Sequence, residues 1–588
     1  MTLVDVLIRH AAERPDATAY VFLRENGEEE RLTFGQITQR ARAIAGHLQT
    51  LTCVGERAIL LYQPGLDFIE AILACFFARL VAVPVAPLRN AKELPRLAGI
   101  IHDCGARLVL SNSVTRNTAG RTLGTAPLPG GPTWVCTDLV ASSLADTFDG
   151  ERPDASSLAF LQYTSGSTGN PKGVMVTHAN LLHNEMVIQD ACKHDDSTVF
   201  VGWLPFYHDM GLIGNVFQPL YLGVMSVLMS PMTFLVSPAV WLRAISKFRG
   251  TTSGGPNFAY ELCVHRVTPE EIEGIDLSSW RIAFNGAEPV KAHVIEAFTE
   301  RFARYGFRGE AFYPCYGLAE STLFVTGGDP AAPVITLPVD AEELRRNKAV
   351  EQTGSRTVLV GCGRTNLNQS VVIVDPETFH VLPEGQVGEI WQSGGSVTAG
   401  YWGKPEQTVA TFGARTADGQ GPFMRTGDLG FFKGGELFVS GRLKDLIIIR
   451  GRNYYPDDIE SAVYLGRPSL RPGGAAAFTV HPDGDDTKLV VVAEVQRTHL
   501  ARLEKRTFNA LLADVRAHIA ETFGLRLAQL ILIRPGSIPK TSSGKLRRRH
   551  TRELHLNDQL ERAEIRQPEL SDSHSHASVG QTSEMGAA

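Results

Sequence analysis

No Cys-x-x-Cys pair occurs among the eight cysteines Cys53, Cys75, Cys104, Cys136, Cys192, Cys263, Cys315 and Cys362. Such scatter supports neither a zinc site nor a disulfide framework, and the expected setting is a reducing, cytoplasmic one. Positive charge is not in excess either: the net charge is −6, so no overall field steers nucleic acid to the protein, and no nucleic-acid partner is expected. The N-terminal stretch "MTLVDVLIRHAAERPDA" has charges from residue 5 and no apolar run, and a secretory signal is not expected there. Internal repeats are missing. One long uncharged stretch, 211–236, is interrupted by Asn215, Gln218, Pro219 and Pro231 and by several hydroxyl residues. It reads as buried core or as the wall of an apolar ligand tunnel, and no stable membrane span is expected.

What is present is an ordinary globular composition, 43% hydrophobic and 20% charged, on a chain of 588 residues, too long for one compact core. Helical spacing places Leu3, Leu7 and Ala11 on one face of a first helix, about 2–13. Short apolar runs at 57–62, 81–85 and 106–111 alternate with a stretch of helical length at 66–80. This alternation predicts an α/β fold with a largely parallel, covered sheet. From about 388 the texture changes to short strands with glycine turns, and "SGRLKD" offers a boundary near Leu443–Lys444. The last segment mixes strands with a helix at 502–523, as in a small α+β domain. The polar tail from 561 to 588 is expected to be disordered.

The segment "QYTSGSTGNPKGVMVTH", 162–178, joins a predicted strand to another strand. Gly166 and Gly169 allow the backbone to turn several N–H groups toward one anion. Thr164, Ser165, Ser167 and Thr168 add hydroxyl donors, and Lys172 adds charge. Phosphate binding is the chemistry this suits, against the blander reading of a plain surface loop. A Walker loop would put its lysine beside the last glycine and open a helix, and a Rossmann turn would show G-x-G-x-x-G. Neither pattern is here.

"YTSGSTGNPKGV" resembles the signature loop of the adenylate-forming enzymes: acyl-CoA synthetases, luciferases, peptide-synthetase adenylation domains and fatty acyl-AMP ligases. Further stations of that superfamily follow in order, over roughly residues 1–555. "FNGAEPV" (284–290) resembles its adenine turn, which implies that Gly286, Ala287 and Glu288 line the purine. "YGLAEST" (316–322) implies nucleotide contact by Tyr316 and Gly317, with Tyr316 stacked on adenine and Glu320 holding Mg2+ on the triphosphate. "RTGDLG" and "GRLKD" imply Asp428 at the ribose hydroxyls, Arg442 at ribose or phosphate, and Lys444 at a hinge. "PKTSSGKLRRR" (539–549) carries Lys545 at the position of the catalytic lysine, which bridges the reacting oxygens in the transition state. Arg547, Arg548 and Arg549 beside it read as a solvated basic helix end, or as a surface for an acidic partner. In "LPFYHDMGLIG", His208 aligns with a position lining the acyl carboxylate.

The resemblance thus implies the acyl-adenylate synthetase fold. Residues 1–443 would form a large, multi-lobed ATP- and acyl-binding domain, and 444–560 a small mobile domain bearing catalytic Lys545. The HDMG of 208–211, YGLAEST, GYW (400–402) and the long interval between Glu320 and Gly388 look most like fatty acyl-AMP ligases, which carry an insertion there, about 329–363 in this chain. That subfamily activates a fatty acid with ATP and Mg2+ and passes the acyl group to the phosphopantetheine of an acyl carrier protein. No carrier motif follows Lys545, so the expected partner is a holo-acyl carrier protein on a separate chain. The rival expectations are a long-chain fatty acyl-CoA synthetase with the same first step, and a non-catalytic adenylate-binding relative. Lys172, Glu320, Asp428, Arg442 and Lys545 occurring together argue against the latter.

Overall fold

The computed structural model describes residues 1–88, 90–123, 128–164, 171–481, 487–500, 505–541 and 544–564. It separates into two compact units. One comprises 1–457 together with 539–550, and the other comprises 458–538 with the residues after 550. This partition differs from the boundary read at 443/444, because 444–457 and the segment bearing Lys545 have their contacts with the larger unit. The tail read as disordered lies outside the described residues from 565 onward.

Two mixed sheets organise the larger unit. The six-stranded sheet runs in the order Thr133–Cys136, Leu108–Ser111, Arg57–Leu61, Val81–Val85, Leu158–Thr164, Lys172–Thr177. All its pairs are parallel except the last, which is an antiparallel hairpin. Parallel strands need crossovers that cover the sheet. Helix Leu66–Phe77 is one of these, and apart from Asp67 and Glu70 every one of its residues is buried. Each Leu or Phe it buries contributes about 1.5–3 kcal/mol, which explains why the sequence shows no polar stripe there.

The same helix carries one half-buried acid. Glu70 reaches Arg40 at 3.3 Å, and burial pushes its carboxyl up to about 7. The Arg40 guanidinium also donates to the Val140 carbonyl at 2.6 Å and to that of Thr137. A carboxyl with a raised folded pKa keeps its proton after the unfolded chain has lost it, so stability falls as pH rises between 4.5 and about 7. Glu70→Gln is expected to remove this fall, because Arg40 keeps its two carbonyls. Melting temperatures of both proteins at pH 5 and pH 8 check it, and an equal drop in the two would refute the assignment.

The eight-stranded sheet runs Phe324–Gly327, Phe312–Gly317, Ile282–Asn285, Thr252–Gly255, Phe200–Gly202, Ser226–Met229, Thr18–Leu23, Glu29–Thr33. Its inner strands are parallel and its two edge pairs antiparallel. In such sheets ligands bind beyond the carboxyl ends of the strands. The uncharged stretch 211–236 is broken into the helical turns Asp209–Leu212, Ile213–Phe217 and Gln218–Leu222, strand Ser226–Met229 and helix Pro231–Val236. Leu212, Ile213, Val216, Phe217, Leu220 and Leu228 pack into the core beside the six-stranded sheet. No helix among the described residues is long and apolar enough to cross a membrane.

A four-stranded antiparallel sheet, Ser370–Val374, Gly388–Ser393, Met424–Lys433 and Glu436–Arg442, follows. Against it packs 329–363, as a two-stranded ladder of Thr336–Pro338 with Val358–Val360 and a turn of helix, Ala341–Leu344, capped by Asp340. Leu337, Val339 and Leu344 are buried with Phe431 and Phe438. Arg345 lies over the Tyr454 ring at 5.2 Å, and Asn453 Nδ2 donates to Asn347 Oδ1 at 2.8 Å. The segment is therefore a packed element of the larger unit.

The smaller unit holds strands Leu470–Val480, Lys488–Val495 and Leu527–Ile533 in that order, with helix Lys505–Phe523. This is the α+β texture expected of the last segment.

Candidate active site

Of the phosphate-loop candidates, Thr164 ends one strand of a hairpin and Lys172 begins the other. Thr164 and Lys172 face each other as its last antiparallel pair, so backbone pairing sets where Lys172 emerges. Ser165, Gly166, Ser167, Thr168 and Gly169, which complete the predicted cradle, lie outside the described residues. The Lys172 ammonium stands 4.8 Å from the centre of the Tyr401 ring, a cation–π distance. Burial and the neighbouring Lys444 and Lys404 ammoniums push its pKa down, while Glu320 opposes them. Tyr401 in turn donates its hydroxyl to Glu320 Oε1 at 2.8 Å.

At the carboxyl end of Ile282–Asn285 the chain turns through Gly286, Ala287 and Glu288. A β-carbon on Gly286 would lie 2.7 Å from the Cys315 carbonyl oxygen, so only glycine lets the two segments approach. Ala287 has φ +67°, an unusual conformation for alanine that bends the turn. Glu288 Oε1 accepts from the Phe258 backbone N–H at 2.6 Å, and burial raises its carboxyl pKa against that bond. Beside this turn, Gly317 passes so close to the Leu323 carbonyl that an added β-carbon would sit 2.0 Å from it.

Tyr316 is buried, and its hydroxyl donates to Asp428 Oδ2 at 2.8 Å. Asp428 and Arg442 are cross-strand partners in the four-stranded sheet, and Arg442 Nε donates to Asp428 Oδ1 at 2.8 Å. The Asp428 charge holds the Arg442 guanidinium above its ordinary pKa. The turn before Asp428 is braced from below. Buried Glu389 accepts from the Gly427 N–H at 3.1 Å and from Arg425 Nε at 2.9 Å.

His208 Nδ1 lies 3.4 Å from Asp209 Oδ1. The Asp209 carboxyl is held below its ordinary pKa: burial raises it, but His208 and Lys545 outweigh that. Lys545 is exposed to solvent. Desolvation and the Arg442 charge depress its ammonium, while Asp209, Asp428 and Glu288 act in the opposite direction. The charges of Asp209, Glu288, Asp428 and Arg442, far apart in sequence, therefore all act on Lys545. Arg548 is not the solvated basic residue expected from the sequence. It turns inward, pairing with Asp445 at 3.3 Å and Asp457 at 2.7 Å, which ties the Lys545 segment to the chain just past Lys444. Two short acidic partners too distant to foresee explain the difference.

Tyr401, Asp209, Lys404 and Glu389 were not singled out by sequence reading. GYW drew notice only as a pattern, and nothing local marks Tyr401 as the neighbour of Lys172 and Glu320. Among the described residues no group of three or more His, Cys, Asp or Glu could hold a metal ion.

Residues 7–402 match the family described as AMP-binding enzyme. The chain is 41% identical to the medium-chain fatty acid acyl-carrier-protein ligase JamA of Moorena producens (strain JHB), over 96% of this chain and 97% of that protein. It is 34% identical to the long-chain fatty acid AMP ligase FadD32 of Mycolicibacterium smegmatis, over 95% and 94% of the two chains. Among solved structures it is similar to the fatty acyl-adenylate ligase of Legionella pneumophila in complex with acyl adenylate and pyrophosphate. That match has TM-score 0.74 and 39% identity over 95% of this chain and 96% of that one. A structure from a study of fatty acyl-adenylate ligases of E. coli and L. pneumophila matches with TM-score 0.85 and 32% identity, over 95% and 98%. With the family matched over residues 7–402 and these relatives matched along nearly all of its length, the chain belongs to the AMP-binding enzymes, and within them to the fatty acyl-AMP ligase group.

Proposed function

We propose that the protein is a fatty acyl-AMP ligase that loads a separate acyl carrier protein. In the first step a carboxylate oxygen of a medium- or long-chain fatty acid attacks the α-phosphorus of ATP. The bond to the β-phosphate breaks, and acyl-AMP and pyrophosphate result. In the second step the phosphopantetheine thiol of the carrier attacks the acyl carbon and AMP leaves. The observation that carries this reading is the hydrogen-bonded set of Tyr316, Asp428 and Arg442, each bond 2.8 Å, whose Asp428 and Arg442 charges both act on Lys545.

In this reading Thr164 and Lys172, with the loop between them, hold the β- and γ-phosphates. Gly286, Ala287, Glu288, Tyr316 and Gly317 frame the purine, and Asp428 with Arg442 engages the ribose. Magnesium would arrive with ATP, and Glu320 would supply a protein carboxylate to it, since Mg2+ is commonly held by one or two carboxylates plus phosphates and water. His208 faces the acyl carboxylate, and part of 211–236 walls the acyl chain. Lys545 bridges the reacting oxygens. We assign the domain boundary and hinge to Leu443–Lys444, with 444–560 as the domain that moves between the two steps, and the location to the cytoplasm.

The packed segment 329–363 favours the carrier-loading reading over an acyl-CoA synthetase, as does the name of JamA. A panel of fatty acids with Mg·ATP and either coenzyme A or holo-carrier separates the two. Acyl-AMP that persists until carrier is added supports the proposal. Efficient acyl-CoA formation overturns the subfamily assignment, and no adenylate from any acid overturns the activity.

A further inference from the structure

Tyr401 stands between two opposite charges that the nucleotide reading assigns to different parts of Mg·ATP. Its ring face meets the Lys172 ammonium at 4.8 Å, and its hydroxyl donates to Glu320 Oε1 at 2.8 Å. The residue is buried and held on several sides. Met175 N donates to the Gly400 carbonyl at 2.9 Å and Trp402 N to that of Gly173 at 2.8 Å, so 400–402 lies as a short ladder beside the strand that begins at Lys172. The Tyr401 N–H donates to Thr408 Oγ1 at 3.0 Å. Just beyond, Lys404 pairs with Asp103 Oδ1 at 2.6 Å, and Asp103 Oδ2 accepts at 2.6 Å from the hydroxyl of Tyr163, the residue before Thr164. One rim of the phosphate loop and the segment carrying Tyr401 are thus tied to one carboxylate, and that segment is in turn bonded through its backbone to the strand of the other rim.

We propose that Tyr401 is a positioning residue for Mg·ATP, its ring aiming Lys172 at the phosphates and its hydroxyl orienting Glu320 for the nucleotide-borne magnesium. A π face and a phenol hydroxyl hold a cation and an anion without neutralising either. Each charge is therefore fixed in place while still available to a phosphate oxygen or a metal. The two roles sit on different parts of one side chain, and substitution can separate them. The inference rests on the nucleotide reading above.

The test is calorimetric titration of the full-length protein with ATP, once with magnesium and once with EDTA, without fatty acid or carrier. Tyr401→Phe keeps the ring and loses the hydroxyl. It is expected to bind ATP like the wild type in EDTA and to lose about tenfold of the affinity gained with magnesium, as befits a hydrogen bond to a charged group. Tyr401→Leu loses both contacts, and its affinity in EDTA is expected to fall as well, about threefold or more. A Phe variant with the full magnesium gain overturns the inference. So does one weakened equally in both conditions, which would mark a merely structural role. A wild type that binds no ATP overturns the nucleotide reading and this inference with it, whereas a binding wild type matched by the Phe variant overturns this inference alone.

Discussion

Lys545→Ala is expected to slow acyl-adenylate formation by about 10²–10³-fold, the usual cost of removing one preorganised donor from the position where transition-state charge develops. Transfer of the acyl group from preformed acyl-AMP to a thiol should change little, since no pyrophosphate leaves in that step. Single-turnover pyrophosphate release and thiol loading from added acyl-AMP measure the two separately. The expectation follows from the charges that act on the ammonium: Arg442 against it, and Asp209, Asp428 and Glu288 in its favour. Because desolvation and Arg442 depress its pKa, the lysine loses its charge at lower pH than a free lysine would. Adenylation should accordingly decline on the alkaline side while thiol loading from acyl-AMP does not follow the same limb. Arginine is a poor substitute, because a planar fork does not replace a compact point charge. Normal adenylation by the alanine variant would remove Lys545 from the mechanism.

Asp428→Asn should be nearly as damaging, lowering kcat/KM for ATP by about 30-fold or more, the range seen when one partner of a hydrogen-bonded charge pair is neutralised. Asp428 accepts from Tyr316 on one oxygen and from Arg442 on the other, each at 2.8 Å. An amide can accept on only one of them. Neutralising Asp428 removes a charge that raises the Lys545 pKa and leaves the Arg442 charge that lowers it uncompensated. Both changes act in one direction, so the alkaline limb of adenylation should move to lower pH. An unchanged pH profile with reduced ATP affinity would leave Asp428 as a ribose ligand only and would disconnect it from Lys545.

The α/β class, a helix within 66–80 and a strand on each side of the phosphate loop were legible from apolar runs and their punctuation, because those patterns are local. The order of stations from Thr164 to Lys545 was legible by resemblance. What could not be read were reasons that lie elsewhere in the chain. Gly286 is glycine because the Cys315 carbonyl lies against it, and Gly317 because of the carbonyl of Leu323. Arg548 looked solvated until Asp445 and Asp457 were placed beside it. Tyr401 looked like part of a three-residue pattern, and its significance is wholly tertiary.

The contacts of 539–550 with the larger unit have a consequence for the protein during its own synthesis. The strands that carry Thr164, Lys172, Tyr316, Asp428 and Arg442 emerge from the ribosome well before that segment does, at about 5–20 residues per second. For that interval the nascent chain has the residues proposed to hold the nucleotide but not the one proposed to bridge the reacting oxygens. On that proposal, a chain stopped short of residue 539 would bind nucleotide without turnover.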